Sequence, residues 1–263
     1  MATDIFKKRR IHMVLFFAVF TGLYVFFSQQ LNFNSATAFT QIPSGFAWLG
    51  ANFWPNYTTT APEFLLNIIR VLLRTVIIAV ASTTTASAFA LIAAVFGSNK
   101  TGIHWTIKYI VRIIAMVFRN IPLIAWALIL LFSFRQNEFT GFLALFFGTF
   151  GYLTRSFTEI IDESGDGVIE ALKSTGATYF QIVFQGVFPM ISSQLVSWVL
   201  FMIESNIRES ALVGMLTGTG IGQMFNFFFS GFRYPMAGMV LLFIIITVIG
   251  LEMLSNKIRR LLL

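Results

Sequence analysis

IIRVLLRTVIIAVASTTTASAFALIAAVF, residues 68–96, is apolar along almost its whole length, with Arg70 and Arg74 confined to its start. A helix needs roughly 20 mostly apolar residues to cross a hydrocarbon core about 30 Å thick, so this stretch reads as a membrane span. Its middle, Ser82-Thr83-Thr84-Thr85-Ala86-Ser87-Ala88, is made of small side chains. Small residues let helix backbones approach closely in lipid, which marks a packing face, with a substrate-lining face as the alternative. The rest of the chain agrees: of 263 residues 57% are hydrophobic and only 11% charged, where a soluble domain carries about 25%. A soluble globular fold is excluded, and the fold class is all-α, a polytopic helical membrane protein.

Working outward, an extra N-terminal span is expected over residues 11–29, preceded by Lys7-Lys8-Arg9-Arg10. That basic run orients the span with the N-terminus in the cytoplasm. No small-residue cleavage site stands near Ser28, so the segment reads as a retained helix and not a signal peptide. Gln30 to Ile69 carries no Lys or Arg and holds Trp48 and Trp54, which reads as a loop on the far side. Core spans are expected over residues 68–255. After the first of these comes a basic cytoplasmic connection with Lys100, Lys108 and Arg112, and His104 to Phe118 lies partly along the interface. Arg119-Asn120-Ile121-Pro122 breaks the chain and starts a span centred on Ile121 to Phe134. A turn at Gln136 and Asn137 leads to a span over Phe139 to Leu153. A fifth begins near Met190, and a sixth covers Pro235 to Leu254 and ends at Lys257-Ile258-Arg259-Arg260. About six crossings return the C-terminus to the cytoplasm, so both termini are cytoplasmic in a multi-pass protein.

The composition also removes several chemistries. There is no Cys, and His12 and His104 are the only histidines, so thiolate ligation, a Cys nucleophile and a His-rich metal centre are excluded. The formal charge of +7 is concentrated beside spans, where it sets topology, and nucleic acid is not an expected partner. Gly218-Thr219-Gly220-Ile221-Gly222 lacks the GxxxxGK[ST] pattern and follows no strand, so it reads as a turn between the last two spans and not a nucleotide site.

Residues 154–189 stand apart. Five of the eleven acidic residues, Glu159, Asp162, Glu163, Asp166 and Glu170, fall there against Arg155 and Lys173. Asp162, Glu163 and Asp166 precede the apolar Val168, Ile169 and Leu172, where negative charge favours a helix N-terminus. Gly176 ends that helix cheaply in a left-handed conformation. Thr178 and Gln181 then have capping-box spacing, and a second helix continues until Pro189.

The string EALKSTGATYFQIVFQGVFP, with Glu170, Ala171, Leu172, Gly176 and Pro189, resembles the cytoplasmic signature loop of ABC importer permeases. Leu172 stands where that family usually has a second Ala, and Phe188 where it usually has Leu. RNIPLIAWALILL from Arg119, GFLALFFGTFGYLTRSFTEIID from Gly141 and MIESNIRESALVGMLTGTGIGQ from Met202 are similar, in order and spacing, to the phosphonate-type permeases. The resemblance implies a type I ABC importer permease fold, with residues 1–263 as one transmembrane permease domain and residues 154–189 as the loop that couples to the ATPase. It implies a second permease copy, identical or not, a pair of ABC ATP-binding subunits and an extracytoplasmic binding protein, in a bacterial cytoplasmic (inner) membrane. Cofactors are expected to be none in this chain, with ATP and Mg held by the partner ATPase, so the chain itself is not an enzyme. The cargo is expected to be a phosphonate, phosphite or phosphate oxyanion, with another small solute as the alternative.

Charged groups in spans are functional candidates because lipid solvates them poorly. Glu204, Asn206, Arg208, Glu209 and Ser210 form a polar cluster at the end of the fifth span, with a solvated helix end as the alternative, and Glu204 and Arg208 can pair four residues apart on one helix face. Arg208 and amide donors suit an oxyanion, and Arg119 is a second candidate, with snorkelling to the interface as its alternative. An ion-coupled secondary transporter that titrates Glu204 or Glu252 is the rival reading, but the inverted repeats such folds carry are not visible.

Overall fold

The computed structural model describes residues 2–54, 59–164 and 166–262, and its regular structure is helical throughout. It divides into two compact units, residues 1–52 and 53–263. In the first, α1 (Ala2–Gln30) and α2 (Ser35–Asn52) are joined by a short turn. Asn32 takes φ 50°, and the Asn32 and Phe33 N–H groups bond the Gln29 and Ser28 carbonyls at 3.3 and 2.9 Å, a Schellman closure with Asn in the left-handed position. The expected loop over Gln30 to Ile69 is therefore corrected: much of it is α2. Asn34 starts that helix by accepting from the Thr37 N–H at 3.3 Å through its side chain, and Pro43 is carried inside it.

The second unit is built round α6 (Glu138–Glu163), which packs against α3 (Pro62–Gly97), α4 (Trp105–Asn120), α5 (Leu123–Phe134) and α9 (Phe188–Thr217). The small residues of α3 form one stripe, Ala79, Thr83, Ala86, Ala90 and Ala94, all fully buried. Their spacing follows the helical repeat, and without bulky side chains α3 and α6 lie backbone against backbone. At Gly151 of α6 a Cβ would meet the Arg119 nitrogen at 2.5 Å, so only glycine admits the end of α4 there. α10 (Gly220–Ser230) and α11 (Tyr234–Leu262) complete the unit, with α11 packed on α9 and α10.

Among the described residues, four helical stretches are long and apolar enough to cross a membrane: 6–30, 62–97, 179–217 and 234–260. The pair α4 and α5 is long and apolar enough only when taken together, as a broken span or a re-entrant loop bent by 93° at its break. The expected third span over Ile121 to Phe134 is corrected accordingly: α5 has 12 residues, about 18 Å of helix, too short to cross alone. α6, at 26 residues, is long enough but too polar to register as apolar. Protein surrounds it on several sides, so its Thr, Gly and Ser residues face helices and not lipid. It also runs well past the expected end at Leu153.

Candidate functional site

The segment between α6 and α9 is shorter and more ordered than residues 154–189 suggest. α6 takes residues up to Glu163, so Asp162 and Glu163 lie at the end of that helix and do not open the next one. Asp166 does open α7 (Asp166–Ser174), although its side chain lies outside those described. Gly176 takes φ +80°. Its N–H bonds the Lys173 carbonyl at 3.0 Å and the Ala177 N–H bonds the Leu172 carbonyl at 3.1 Å, which is the Schellman stop expected of a glycine there. Gln181 Oε1 then accepts from the Thr178 N–H at 2.8 Å and from its hydroxyl at 3.0 Å.

Pro189 does not end the second helix. After the single turn of α8 (Tyr179–Gln181) a π-helical segment, Ile182–Val187, runs straight into α9. Proline lacks an N–H and clashes with the carbonyl four residues back. Widening the preceding turn absorbs that clash, and the Phe188 N–H reaches back five residues to the Val183 carbonyl. Leu172, bulkier than the usual alanine, finds room because Gly186 faces it: a Cβ at Gly186 would meet Leu172 Cδ1 at 2.5 Å. Ile169, Ile182 and Val187 bury one side of the pair in a core shared with α3, α6 and α9. The other side, with Glu170, Ala171, Lys173 and Gly176, is exposed, as are Phe180 and Phe184.

One carboxylate fastens the base of this helix pair. Asp162 accepts from Ser98 Oγ at 2.6 Å, the Asn99 N–H at 2.6 Å, Asn99 Nδ2 at 2.9 Å and Arg112 Nη2 at 3.0 Å. Arg112 Nε also donates to the Gly97 carbonyl at 2.8 Å, Lys100 Nζ to the Ser164 carbonyl, and the Tyr179 hydroxyl to the Thr101 carbonyl at 2.8 Å. The α3–α4 turn, the end of α6 and the start of α8 thus form one hydrogen-bonded block. Sequence reasoning missed it because the partners of Asp162 lie 50 to 64 residues away.

Within the bundle, Glu204 and Arg208 pair as expected, at 3.3 Å, with Glu204 11% and Arg208 49% exposed. Asn206 and Ser210 are turned inward. Asn206 Nδ2 donates to Thr83 Oγ1 and Thr149 Oγ1, both at 2.7 Å, and so ties α3, α6 and α9 at a fully buried point. The Ser210 hydroxyl donates to the Ile207 carbonyl of its own helix at 2.6 Å. Arg119 is exposed at the end of α4, away from this cluster. Arg259, read as part of a topology signal, instead reaches Glu204 Oε2 at 3.7 Å. At the other end of the bundle Arg74 pairs with Glu138 beside a cavity of about 470 Å³ lined by Asn67, Thr219 and Gln223.

Residues 86–262 match the family described as binding-protein-dependent transport system inner membrane component. The chain is 28% identical over 189 residues, 72% of its length, to the phosphate-import permease protein PhnE of Mycolicibacterium smegmatis, of which the match covers 36%. A phosphite transport system permease protein, PtxC of Stutzerimonas stutzeri, is 26% identical over 73% of this chain and 70% of its own. A putative cryptic phosphonate transport system permease protein of Escherichia coli is 33% identical over 118 residues, 45% of this chain and 97% of its own. The fold matches that of a chain in an inward-facing MetNI methionine ABC transporter, with a TM-score of 0.63 at 21% identity, over 75% of this chain and 98% of that one. It matches similarly a chain of an amino acid ABC transporter, with a TM-score of 0.59 at 18% identity, over 74% and 96%. The architecture is thus that of a type I ABC importer permease, and this chain belongs to the inner membrane components of binding-protein-dependent transport systems.

Proposed function

We propose that the chain is the transmembrane subunit of an ATP-driven importer of a phosphonate, phosphite or phosphate oxyanion. An extracytoplasmic binding protein delivers the cargo, and two ABC ATP-binding subunits, which hold the ATP and Mg, drive the cycle. The chain works beside a second permease copy in a bacterial cytoplasmic membrane, with both termini and the α7–α8 block in the cytoplasm.

The observation that carries this reading is the division of labour in that block: one face buried in the bundle core, the other exposed and capped at both ends. A partner pushing on the exposed face moves the clasped base with it, because Tyr179 at the start of α8 and Asp162 at the end of α6 are both bonded to the α3–α4 turn. A loop without those bonds would absorb the push by bending. For cargo, relatives named for phosphate, phosphite and phosphonate transport support the oxyanion class. The Arg74 cavity receives the anion on the far side, and half-exposed Arg208 is the next cation along the route, held in place by Glu204. Arg119 lies at the cytoplasmic exit, while Asn206 and Ser210 shape the wall from behind.

The test is ATPase activity in proteoliposomes that contain the chain, its ATP-binding subunits and the binding protein, with and without methylphosphonate or phosphate. Hydrolysis stimulated by loaded binding protein is expected in the wild type. Glu170→Lys and Gly176→Pro should abolish it while the permease remains inserted. Full stimulation in both inserted variants would remove the loop from coupling, and flux that follows a proton gradient without ATP would replace the importer reading.

A further inference from the structure

Along α6 from Gly151 to Ile161 every residue is buried except Tyr152, Arg155 and Glu159. Their spacing of three and four puts them on one helix face, so α6 shows its surroundings a single stripe with no aliphatic side chain in it. Glu163 extends the stripe by one turn. α4 runs antiparallel alongside, since Val111 lies beside Thr158 and Arg119 beside Gly151, and its two flanks differ. Ile107, Ile110, Ile113, Ile114 and Val117 are exposed on one; Arg112, Met116 and Arg119 are exposed on the other.

The depth of the stripe follows from α3. A Cβ at Gly97 would touch Val111 Cγ1 at 3.0 Å and Thr158 Oγ1 at 3.4 Å, so the end of α3 and Thr158 are level. Gly97 closes a stretch that carries no charge after Arg74, and Ser98, Asn99 and Lys100 follow it, which puts the membrane surface close to that level. At 1.5 Å per residue, Arg155 lies about 5 Å and Tyr152 about 9 Å below it. The Arg119 backbone, against Gly151, lies about 10 Å below, well into a hydrocarbon core about 30 Å thick. Lipid suits the isoleucine flank of α4 but solvates an exposed arginine and glutamate poorly, so the stripe and the arginine flank face water.

Between that flank and the stripe opens a cavity of about 300 Å³, whose walls include Arg112, Met116, Arg155, Thr158, Glu159 and Asp162. Its charges balance, but the two ion pairs are held differently. Arg112 is fixed by Asp162 and the Gly97 carbonyl and belongs to the clasp. Arg155 bonds only Glu159 among the described residues, at 2.7 Å and one turn away on its own helix, with both side chains half exposed. Water and dissolved anions compete for such a pair. Arg119 lies about one turn deeper than Arg155, is exposed, and has no ion pair among the described residues.

We propose that this side of α4 and α6 lines a water-filled passage through the inner half of the membrane, and that Arg119 and then Arg155 receive the oxyanion in it. Glu159 takes Arg155 back as the anion leaves, so the cargo is passed on and not retained. The passage follows from the exposed stripe; the cargo and its direction rest on the importer reading.

Because the chain has no cysteine, single cysteines report on their own surroundings. In inside-out membrane vesicles, which present the cytoplasmic side, each is reacted with two methanethiosulfonates that do not cross lipid, one anionic (sulfonatoethyl) and one cationic (trimethylammonioethyl). Tyr152→Cys should react with both. Val117→Cys, at a similar depth on the isoleucine flank, should react with neither, because a thiol in apolar surroundings does not ionise. Each variant is first shown to keep the wild-type melting midpoint, and Glu159→Cys takes the place of Tyr152→Cys if that one does not. Adding Arg119→Gln or Arg155→Gln should lower the anionic-to-cationic rate ratio about fivefold or more, the scale of one nearby charge in a partly hydrated site. Arg70→Gln, at the far end of α3, should leave the ratio unchanged. Phosphate or methylphosphonate should slow the anionic reagent more than chloride does at the same ionic strength. An unreactive Tyr152→Cys, equal reaction of Val117→Cys, a ratio unmoved by both arginine variants, or protection no better than that of chloride would each overturn the proposal. These readouts need neither ATP nor a binding protein, so an absence of ATP-driven uptake beside them would remove the importer reading and leave the passage standing.

Discussion

Asn206 shows how little a side chain's identity says about its task. In sequence it belongs to a polar cluster with Glu204, Arg208 and Ser210; in the fold it spends its amide on Thr83 and Thr149 and joins three helices. Interhelical hydrogen bonds in membranes average about 0.6 kcal/mol each, so Asn206→Val should cost about 1 kcal/mol. Asn206→Asp places a charge between two hydroxyls with no cation in contact, and should cost several kcal/mol, about the scale of an unpaired buried ion. Unfolding titrations in detergent micelles check both. Stability kept in Asn206→Val together with lost uptake would move Asn206 from packing to the cargo route. Glu204 and Arg208, by contrast, pair as their spacing of four residues requires, because the helix backbone alone brings them together.

At the scale of elements, the stop at Gly176 was legible because the Schellman closure is made within a few residues of chain. The fate of Pro189 was not. A proline can end a helix or be accommodated by a wider turn, and the choice depends on whether neighbours hold the backbone on both sides. Here Ile182, Val183 and Val187 are buried before it and Ile191 after it, so the helix continues. Pro189→Ala restores an N–H and lets the π segment relax to α-helix. Each residue of an α-helix turns about 100°, so absorbing the wide turn rotates α7 and its exposed face relative to α9. The melting midpoint should equal or exceed that of the wild type, while ATP-driven uptake falls. A variant with normal uptake and a relaxed π segment would show that the orientation of the loop does not matter. Helix boundaries elsewhere moved for a related reason: the ends of α6 and α9 lie in protein and not at a lipid boundary, so hydropathy does not mark them.

For the whole molecule, the proposed orientation can be read directly because the chain has no cysteine to remove. Single cysteines at Ser174 in α7 and at Thr60 before α3 should be labelled from opposite sides of the membrane by an impermeant maleimide. Ser174→Cys should react only from the cytoplasmic side and Thr60→Cys only from the outer side. Labelling of both from one side would break the proposed topology.

The sequence by itself determined that this is an all-helical membrane protein, where most of its apolar spans lie, and that a capped helix pair interrupts them. Those properties follow from hydropathy and local backbone rules, which act over a few turns of chain. Only the tertiary structure decided that α6 is a polar helix packed among four others, that α4 and α5 meet at 93°, that Asp162 ties the end of α6 to the α3–α4 turn and to α4, and that Arg259 reaches Glu204. Each depends on groups many residues apart, and in a medium without water their polar atoms must find one another wherever the packing of small side chains brings the helices close.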